Sequence, residues 1–308
     1  QKWAWHKKIA ALRALNLFVP LFIFRMLGDN SRFCVSSNTP VLRLPFTQSW
    51  MIKMKPHGTR FQDTFCCSGV LSLQPLSRNP CKSCAVVSSS GQMLGSGLGP
   101  QIDQAECVLR MNTAPTLGYE ADVGSRSSLR VVSHTSVPLL LRNQTYFFQQ
   151  SQDTVYVIWG PLRQMDIDSG ITYRVLQHTK GMYPQVQIYT LTQSMMAHCD
   201  LVFQNETGKN RAMSGTFLST GWFTMILAME LCEEITVYGM VGENYCRNRF
   251  NPPVPYHYYE KGRLDECTMY MMHERASRGA HRFITEKAVF ARWAHRKQIH
   301  FAHPSWGA

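Results

Sequence analysis

Short apolar runs, several of them rich in β-branched residues, recur from residue 81 onward and alternate with stretches of helical character. Several are continuously apolar rather than alternating with polar residues, which is typical of strands covered on both faces. Strands of this kind interleaved with helices predict a mostly parallel α/β sheet. The predicted strands are Ala85–Val87, Val108–Met111, Leu129–Val132, Thr154–Trp159, Gln187–Thr190, Ile235–Met240 and Ile299–Ala302.

The composition excludes several other classes of protein. The 308 residues are 44% hydrophobic and 17% charged, which suits a buried core and not a disordered polyelectrolyte. Heptads and longer repeats are absent from the sequence, which excludes coiled coils and solenoids. The net charge of +12 lies mostly in residues 1–80, which hold 11 basic and 2 acidic residues. A nucleic-acid-binding surface is therefore not favoured, and we expect no nucleic-acid partner.

The N-terminal residues 1–27 are predicted to be a cytoplasmic tail and signal-anchor helix. Three lysines among the first eight residues precede the apolar run Ile9–Leu27. As a helix this run would be about 28 Å long, close to the hydrocarbon thickness of a bilayer. Arg13, Asn16 and Pro20 interrupt it, so a buried or interfacial helix is the alternative. The first residue is Gln, which leaves open whether this end is complete.

Residues 28–80 are predicted to form a stem, and residues 81–308 the main folded domain. The stem segment is rich in Ser, Thr, Pro and Asn and lacks a sustained period. Ten cysteines and two glycosylation sequons, at Asn143 and Asn205, favour a secretory lumen. Cys81-Lys-Ser-Cys84 is a lone CxxC pair without a second pair at zinc spacing, so a zinc site is not favoured.

Two of the junctions between elements combine small residues with hydroxyl groups. Ser88–Gln92 follows the first predicted strand, where backbone amides can approach a phosphate closely. Ser219–Gly221 precedes a predicted helix over Trp222–Glu234, with Ser219 or Thr220 as its N-cap. A helix N-terminus beside hydroxyl groups suits an anion. An ordinary strand–turn–helix connection and a capped core helix are the structural alternatives.

These junctions and two later segments resemble the four sialylmotifs of the eukaryotic sialyltransferases, glycosyltransferase family 29. The sequences of Ser88–Gly99, Arg130–Leu141 and Leu218–Gly239 most resemble those of the alpha-N-acetylgalactosaminide alpha-2,6-sialyltransferases. Within that subfamily they are most similar to the short-stemmed fourth paralogue, with the third as its rival. The large motif matches Cys84–Gly91, Glu106–Pro115 and Ala121–Gly124, the small motif Ser219–Cys232, the third motif Pro255–Glu260, and the very small motif His281–Glu286.

The resemblance implies a Rossmann-like single domain, the GT-A variant of sialyltransferases, in a single-pass type II protein of the Golgi membrane with a lumenal catalytic domain. Its donor substrate would be CMP-sialic acid, with neither cofactor nor metal. A monophosphate leaving group can be stabilised by hydrogen bonds and a histidine, without a divalent cation. Asp166-Ile-Asp168 reads as the DxD of metal-dependent glycosyltransferases, but it lies outside all four motifs and is interpreted as a solvated loop.

The resemblance also assigns the catalytic residues. His281 corresponds to the general base of the very small motif, which takes the proton of the acceptor hydroxyl. His257 corresponds to the histidine of the third motif that meets the CMP phosphate, and Tyr258 is expected to line the same region. Glu286 either orients the histidine or holds the local fold.

The expected donor contacts come from the large and small motifs. Asn112 corresponds to an asparagine that contacts the nucleotide, and Ser219, Thr220 and Gly221 to contacts of the phosphate and cytidine. The turn after the first strand departs from the family pattern, so Ser89, Ser90 and Gln92 are expected only as pocket wall. Cys84 and Cys232 correspond to the disulfide that joins the two motifs, and Cys246–Cys267 is a plausible second pair.

The expected reaction is an inverting transfer of sialic acid to O6 of GalNAc in Sia-α2,3-Gal-β1,3-GalNAc, on O-glycans or gangliosides. The expected partners are therefore CMP-sialic acid, sialylated Gal-β1,3-GalNAc acceptors and the Golgi membrane. Two alternatives stay open. The first is a sialyltransferase of a different acceptor or linkage, and the second is a non-catalytic Golgi glycan-binding protein that keeps the fold.

Overall fold

A computed structural model describes residues 51–53, 80–260, 262, 264–296 and 298–306. They belong to one unit, residues 44–308. Its strands are β1 Met51–Lys53, β2 Cys81–Val87, β3 Cys107–Met111, β4 Leu129–Ser133, β5 Val155–Trp159, β6 Gln187–Leu191, β7 Cys232–Tyr238 and β8 Ile299–His303. Its helices are α1 Gly99–Ile102, α2 Glu120–Val123, α3 Val137–Arg142, α4 Leu162–Met165, α5 Ile171–Met182, α6 Gln193–Thr207, α7 Arg211–Ser214, α8 Thr220–Leu231, α9 Glu266–Arg275 and α10 Phe283–Arg296.

The strands form one sheet in the order β1-β6-β5-β4-β3-β2-β7-β8. Strands β2 to β8 pair in parallel, and all seven predicted strands are present. The central strands are buried throughout, as their continuous apolar runs predict. The predicted α/β class with a mostly parallel sheet is therefore confirmed.

Strand β1 was not predicted. It pairs antiparallel with β6, with Met51 opposite Leu191, and adds an edge strand to the sheet. It lies inside residues 28–80, the predicted stem, so part of that segment belongs to the folded unit. A three-residue strand has too few residues to show an apolar period, which is why the sequence pattern does not reveal it.

The strand order reverses at β2, and this reversal determines where a ligand site can lie. From β2 the chain moves outward through β3, β4, β5 and β6, and then returns to the other side of β2 with β7 and β8. The loops after β2 and β7 therefore diverge and open a crevice at the carboxyl edge of the sheet. Ligands of open α/β sheets bind in such a crevice.

Helix α8 was predicted over Trp222–Glu234 and ends earlier, at Leu231. The residues Cys232–Glu234 instead begin β7, whose β-branched run starts three residues later. Burial also extends beyond the predicted apolar face, because residues on different sides of the helix, Trp222, Thr224 and Ala228, are fully buried. It packs against the sheet on one side and against α10 on the other, where the rings of Trp222 and Phe290 stack at 5.7 Å.

Three disulfides connect six of the seven described cysteines, and Cys199 is a buried free thiol. Cys84 is bonded to Cys232, 148 residues later in the chain, and Cys246 is bonded to Cys267. The first closes a loop long enough to contribute about 5 kcal/mol in the chain-entropy account. Cys81 and Cys107 form a third bridge that the sequence did not suggest. The cysteines of the CxxC pair are therefore in two different disulfides, and neither offers a thiolate to a metal.

The predicted anchor, residues 1–27, lies outside the described residues. Among the helices that the structure describes, none has the length and apolarity needed to cross a bilayer. The two sequon asparagines are both exposed: Asn143 follows α3, and Asn205 lies in the last turns of α6.

Candidate active site

A cavity opens at the carboxyl edge of β2, β3 and β7, at the reversal of strand order. One side, here named the sheet wall, consists of Ser88, Ser89, Ser90, Met111, Asn112, Ser219, Thr220, Gly221 and Met240. The other side, the C-terminal wall, consists of Tyr256, His257, Tyr270, His281, Phe283, Glu286, Lys287 and Phe290.

The loop after β2 is fixed by backbone hydrogen bonds. The Ser88 N–H donates to the carbonyl of Tyr238 at 2.8 Å, and the Gly91 N–H donates to that of Pro255 at 2.9 Å. A Cβ on Gly91 would lie 2.5 Å from that Pro255 oxygen, so only glycine allows this approach. The loop is thereby held against residues 255–258, the segment that contributes Tyr256 and His257 to the C-terminal wall.

Asn112 lies directly after β3 in a left-handed conformation, with φ of +46°. Asn is one of the few residues that adopt this conformation readily. Its Oδ1 accepts hydrogen bonds from the Ser133 N–H at 3.0 Å and the Thr220 hydroxyl at 3.5 Å. Because the acceptor atom is used within the protein, the amide NH₂ is the group of Asn112 that can serve a ligand.

The N-terminus of α8 is built around Ser219. Its Oγ accepts from the Trp222 N–H at 3.1 Å, which makes Ser219 the N-cap. The carboxyl of Glu286 accepts from the Ser219 N–H at 2.9 Å and also bonds to the Ser219 hydroxyl. Glu286 therefore holds the start of α8, and Ser219 is committed to structure. Thr220 and Gly221 remain on the wall at the positive end of the helix.

Glu286 is buried, with 2% of its surface exposed. Burial raises the pKa of its carboxyl to about 7, and the hydrogen bonds from Ser219 partly oppose this shift. Its hydrogen-bonding partner is Ser219, so of the two expected roles for Glu286 these contacts favour holding the local fold.

His281 lies two residues before α10 and contacts Phe217, three residues before α8. Its Nδ1 lies 3.0 Å from the carbonyl oxygen of Phe217. A carbonyl only accepts, so Nδ1 carries the proton, and Nε2 is the basic nitrogen of the neutral ring. Burial lowers the pKa of His281, the Phe217 bond opposes this, and the neighbouring His273 adds to the lowering. A neutral imidazole with a fixed tautomer can act as a general base.

His257 has a different environment. Its Nδ1 pairs with the Glu260 carboxylate at 2.9 Å, and its ring stacks on Tyr256 at 4.3 Å and on Tyr259 at 5.2 Å. The carboxylate orients the ring and compensates a positive charge on it, while the stacking holds its plane. Such a ring can stabilise an anion.

The structure thus brings most of the predicted site residues together in one cavity: Ser89, Ser90, Asn112, Ser219, Thr220, Gly221, His257, His281 and Glu286. Two predicted residues lie outside the wall. The side chain of Gln92 turns away and donates to Glu266 at 3.1 Å. Tyr258 is buried, and its hydroxyl donates to the Pro115 carbonyl at 2.5 Å. Both support neighbouring segments instead of forming pocket wall, which corrects the expectation for their side chains.

The Asp166–Asp168 pair is also elsewhere, in a different cavity beside Asp200 and Arg211. Asp166 Oδ1 accepts from the N–H groups of Asp168 and Ser169 and from the Ser169 hydroxyl. These bonds lower the pKa of Asp166 and shape its own loop.

Several wall residues were missed by the sequence reasoning. Phe283, Lys287 and Phe290 lie at i, i+4 and i+7 on α10 and share the face towards the cavity, together with Glu286 at i+3. The helical period of this segment could have revealed them, since the predicted site residue Glu286 marks the face.

Comparison with known proteins gives the family. The family model described as "Glycosyltransferase family 29 (sialyltransferase)" matches residues 36–299. A human protein named alpha-N-acetyl-neuraminyl-2,3-beta-galactosyl-1,3-N-acetyl-galactosaminide alpha-2,6-sialyltransferase is 68% identical over 240 residues, which cover 78% of this chain and 80% of the relative. Human alpha-N-acetylgalactosaminide alpha-2,6-sialyltransferase 3 is 47% identical over 304 residues, 97% of each chain.

Among solved structures, a mammalian sialyltransferase in complex with Gal-beta-1-3GalNAc-ortho-nitrophenol is 26% identical, with a TM-score of 0.48 over 71% of this chain and 68% of that one. The family match spans most of the sequence and includes all four motifs that form the cavity. The chain belongs to glycosyltransferase family 29, the sialyltransferases.

Proposed function

We propose that this chain transfers sialic acid from CMP-sialic acid to O6 of GalNAc in Sia-α2,3-Gal-β1,3-GalNAc, with inversion and formation of an α2,6 linkage. Sialyltransferases use CMP-sialic acid as donor. The observation that carries the proposal is His281, whose Nδ1–H bond to Phe217 leaves Nε2 basic in the cavity that the donor motifs form. The named acceptor of the 68% identical relative supports the choice of acceptor.

In the proposed step, His281 Nε2 takes the proton of the acceptor O6 hydroxyl as that oxygen attacks the anomeric carbon of sialic acid. The new C–O bond forms on the face opposite the leaving phosphate, which accounts for inversion. The resulting imidazolium is stabilised by the Phe217 carbonyl, which keeps its hydrogen bond to Nδ1–H.

The departing CMP takes the electron pair of the broken C–O bond. His257, paired with Glu260, is placed to stabilise the phosphate charge, and the N-terminus of α8 at Thr220 and Gly221 adds its N–H groups. The amide NH₂ of Asn112 is the proposed contact of the nucleotide. These groups supply hydrogen bonds and positive charge for a monophosphate, so we expect the reaction to need neither metal nor cofactor.

The proposed location is the lumen of the Golgi, with the chain anchored as a single-pass type II membrane protein. The sequons at Asn143 and Asn205 support it, because both asparagines are exposed and accessible to glycosylation.

A panel of acceptors tests the proposal. Purified protein is incubated with CMP-sialic acid and Gal-β1,3-GalNAc with and without the α2,3-linked sialic acid, carried on a serine glycopeptide or a glycolipid, and CMP release and product linkage are measured. We expect CMP release that depends on the sialylated acceptor, and an α2,6-linked product. No acceptor-dependent release with any compound would favour the non-catalytic glycan-binding alternative, and a product of other linkage would overturn the acceptor assignment.

A further inference from the structure

Lys287 lies on α10, one residue after Glu286, and lines the cavity although only 6% of its surface is exposed. Within the described ranges, its ammonium makes no hydrogen bond and no ion pair. Its contact is with the ring of Tyr270, whose centroid is 4.4 Å from Nζ. A buried ammonium without a hydrogen-bonding partner is costly, so an amine kept in a cavity wall indicates a ligand that completes its coordination.

The neighbouring carboxyl groups are engaged elsewhere. Glu266 accepts from the Tyr270 hydroxyl at 2.6 Å and from the Gln92 amide at 3.1 Å. Glu286 bonds to the backbone and hydroxyl of Ser219. Both interact with Lys287 through charge without contacting it as hydrogen-bonding partners.

The local charge balance also suits an anion. Burial raises the pKa of the Glu286 carboxyl to about 7, so at neutral pH it carries only part of a negative charge that would repel an anion. Burial raises the pKa of Glu266 as well. Burial lowers the pKa of Lys287, and attraction to the two carboxyls opposes this shift. The Lys287 amine faces the same cavity as the positive end of α8, since Glu286 connects the two helices.

We propose that Lys287 binds an anionic oxygen of CMP-sialic acid, belonging to its phosphate or its carboxylate, and is thus a donor-binding residue. This rests on the proposed function, which makes CMP-sialic acid the ligand of the cavity. The donor carries one negative charge on each of these groups, and a desolvated ammonium is well suited to either.

The test is Lys287→Met, which keeps an unbranched apolar side chain one atom shorter and removes the charge. Binding of cytidine, CMP and CMP-sialic acid is measured calorimetrically without acceptor. Cytidine has neither anion, and its affinity should stay that of the wild type. A phosphate contact weakens CMP and CMP-sialic acid alike by about tenfold or more, whereas a carboxylate contact weakens CMP-sialic acid alone. Lys209→Met, at an exposed lysine, is the control and should bind all three normally.

Thermal unfolding without ligand separates this role from a structural one. Removing an unpaired buried charge should leave the melting temperature equal or raise it, whereas loss of a structural contact would lower it. If Lys287→Met does not fold, Lys287→Gln, which keeps a polar end, is measured in the same way.

Equal wild-type and variant affinities for CMP and CMP-sialic acid, or a parallel loss for cytidine, would overturn the assignment. Failure of the wild type itself to bind CMP-sialic acid would instead contradict the proposed function.

Discussion

The two walls of the cavity differ in the chemistry of their side chains. The sheet wall consists of Ser, Thr, Asn, Gly and Met, none of which changes charge near neutral pH. The C-terminal wall contains two histidines, a glutamate and a lysine. Burial shifts the pKa of Glu286 up and those of His281 and Lys287 down. One wall therefore offers fixed hydrogen-bonding groups, and the other offers groups that exchange protons or carry charge.

The difference follows from how each wall is built. The sheet wall comes from strand ends and a helix N-terminus, whose positions are set by the sheet. The C-terminal wall comes from residues 256–290. Hydrogen bonds that join it to the sheet wall include those of Gly91 with Pro255, Phe217 with His281, and Ser219 with Glu286. We infer that binding of the donor depends on both walls, and that proton transfer depends on the second alone.

The largest expected effect is that of His281→Ala. Removing the base should lower turnover by about 10²–10⁴-fold, because Nε2 takes the acceptor proton. The affinity for CMP should remain within about twofold, because the base is assigned to the acceptor and not to the nucleotide. Initial rates and CMP titration measure the two quantities separately.

The matched control is His295→Ala, at an exposed histidine of the same helix, which should change neither quantity. Near-normal turnover of the His281 variant would remove the division of roles between the walls.

The next effect concerns Glu286 and the pH dependence of stability. Its carboxyl keeps its proton in the folded state up to about pH 7 but loses it at the ordinary value of 4.5 when unfolded. Its contribution to the free energy of unfolding is therefore present at low pH and declines as the pH rises from 4.5 to about 7. Glu286→Gln has no proton to lose, so it should reduce this decline by about 3 kcal/mol.

Urea unfolding at pH 5 and pH 8 measures the decline. Glu233→Gln, at an exposed site on β7, should keep the pH dependence of the wild type. If the free energy of unfolding of the Glu286 variant declines with pH as in the wild type, the Glu286 carboxyl is ionised in the folded protein. The C-terminal wall would then differ less from the sheet wall in its proton exchange than we infer.

The sheet could be predicted from the sequence because buried parallel strands leave long β-branched runs, as at Val155–Trp159. Two features of the fold were not predicted from the sequence. Strand β1 has three residues, too few for a pattern. The end of α8 was placed three residues late, because Cys232 continues the helical period although it already belongs to β7. Both features depend on strand pairing in the folded protein, which a local sequence pattern does not reveal.

For the site, the motif residues identified the cavity but not the contacts of each side chain. Gln92 and Tyr258 stand within or beside motif segments, yet both bond to neighbouring segments away from the wall. Ser219 and Glu286 are 67 residues apart, and their bond is visible only once α8 and α10 are packed. Lys287 has no signature of its own, since an apolar helix face with one lysine is equally consistent with a surface position.

A smaller effect is expected at the contact between Gly91 and Pro255, here named the joint between the walls. A Cβ at Gly91 would meet the Pro255 oxygen at 2.5 Å and its Cδ at 2.7 Å, so Gly91→Ala forces the loop after β2 away from residues 255–258. We expect a loss of about 1–3 kcal/mol in stability, with weaker CMP binding. Gly242→Ala is the control, because its Cβ would lie 3.6 Å from Trp306, an ordinary contact. Equal melting temperatures for the two variants would show that the joint is not rigid.

The smallest expected effect is that of removing divalent metal. In the described part of the cavity, the wall carboxyl is that of Glu286, and both of its oxygens are already bonded to Ser219. The Asp166–Asp168 pair lines another cavity, and Asp166 Oδ1 accepts three bonds from its own loop. The leaving monophosphate is instead offered His257 and the α8 N-terminus, so the initial rate in EDTA should equal the untreated rate. If chelation stops the reaction and manganese restores it, the two walls are not sufficient for catalysis, and Asp166 and Asp168 become the first residues to replace with asparagine.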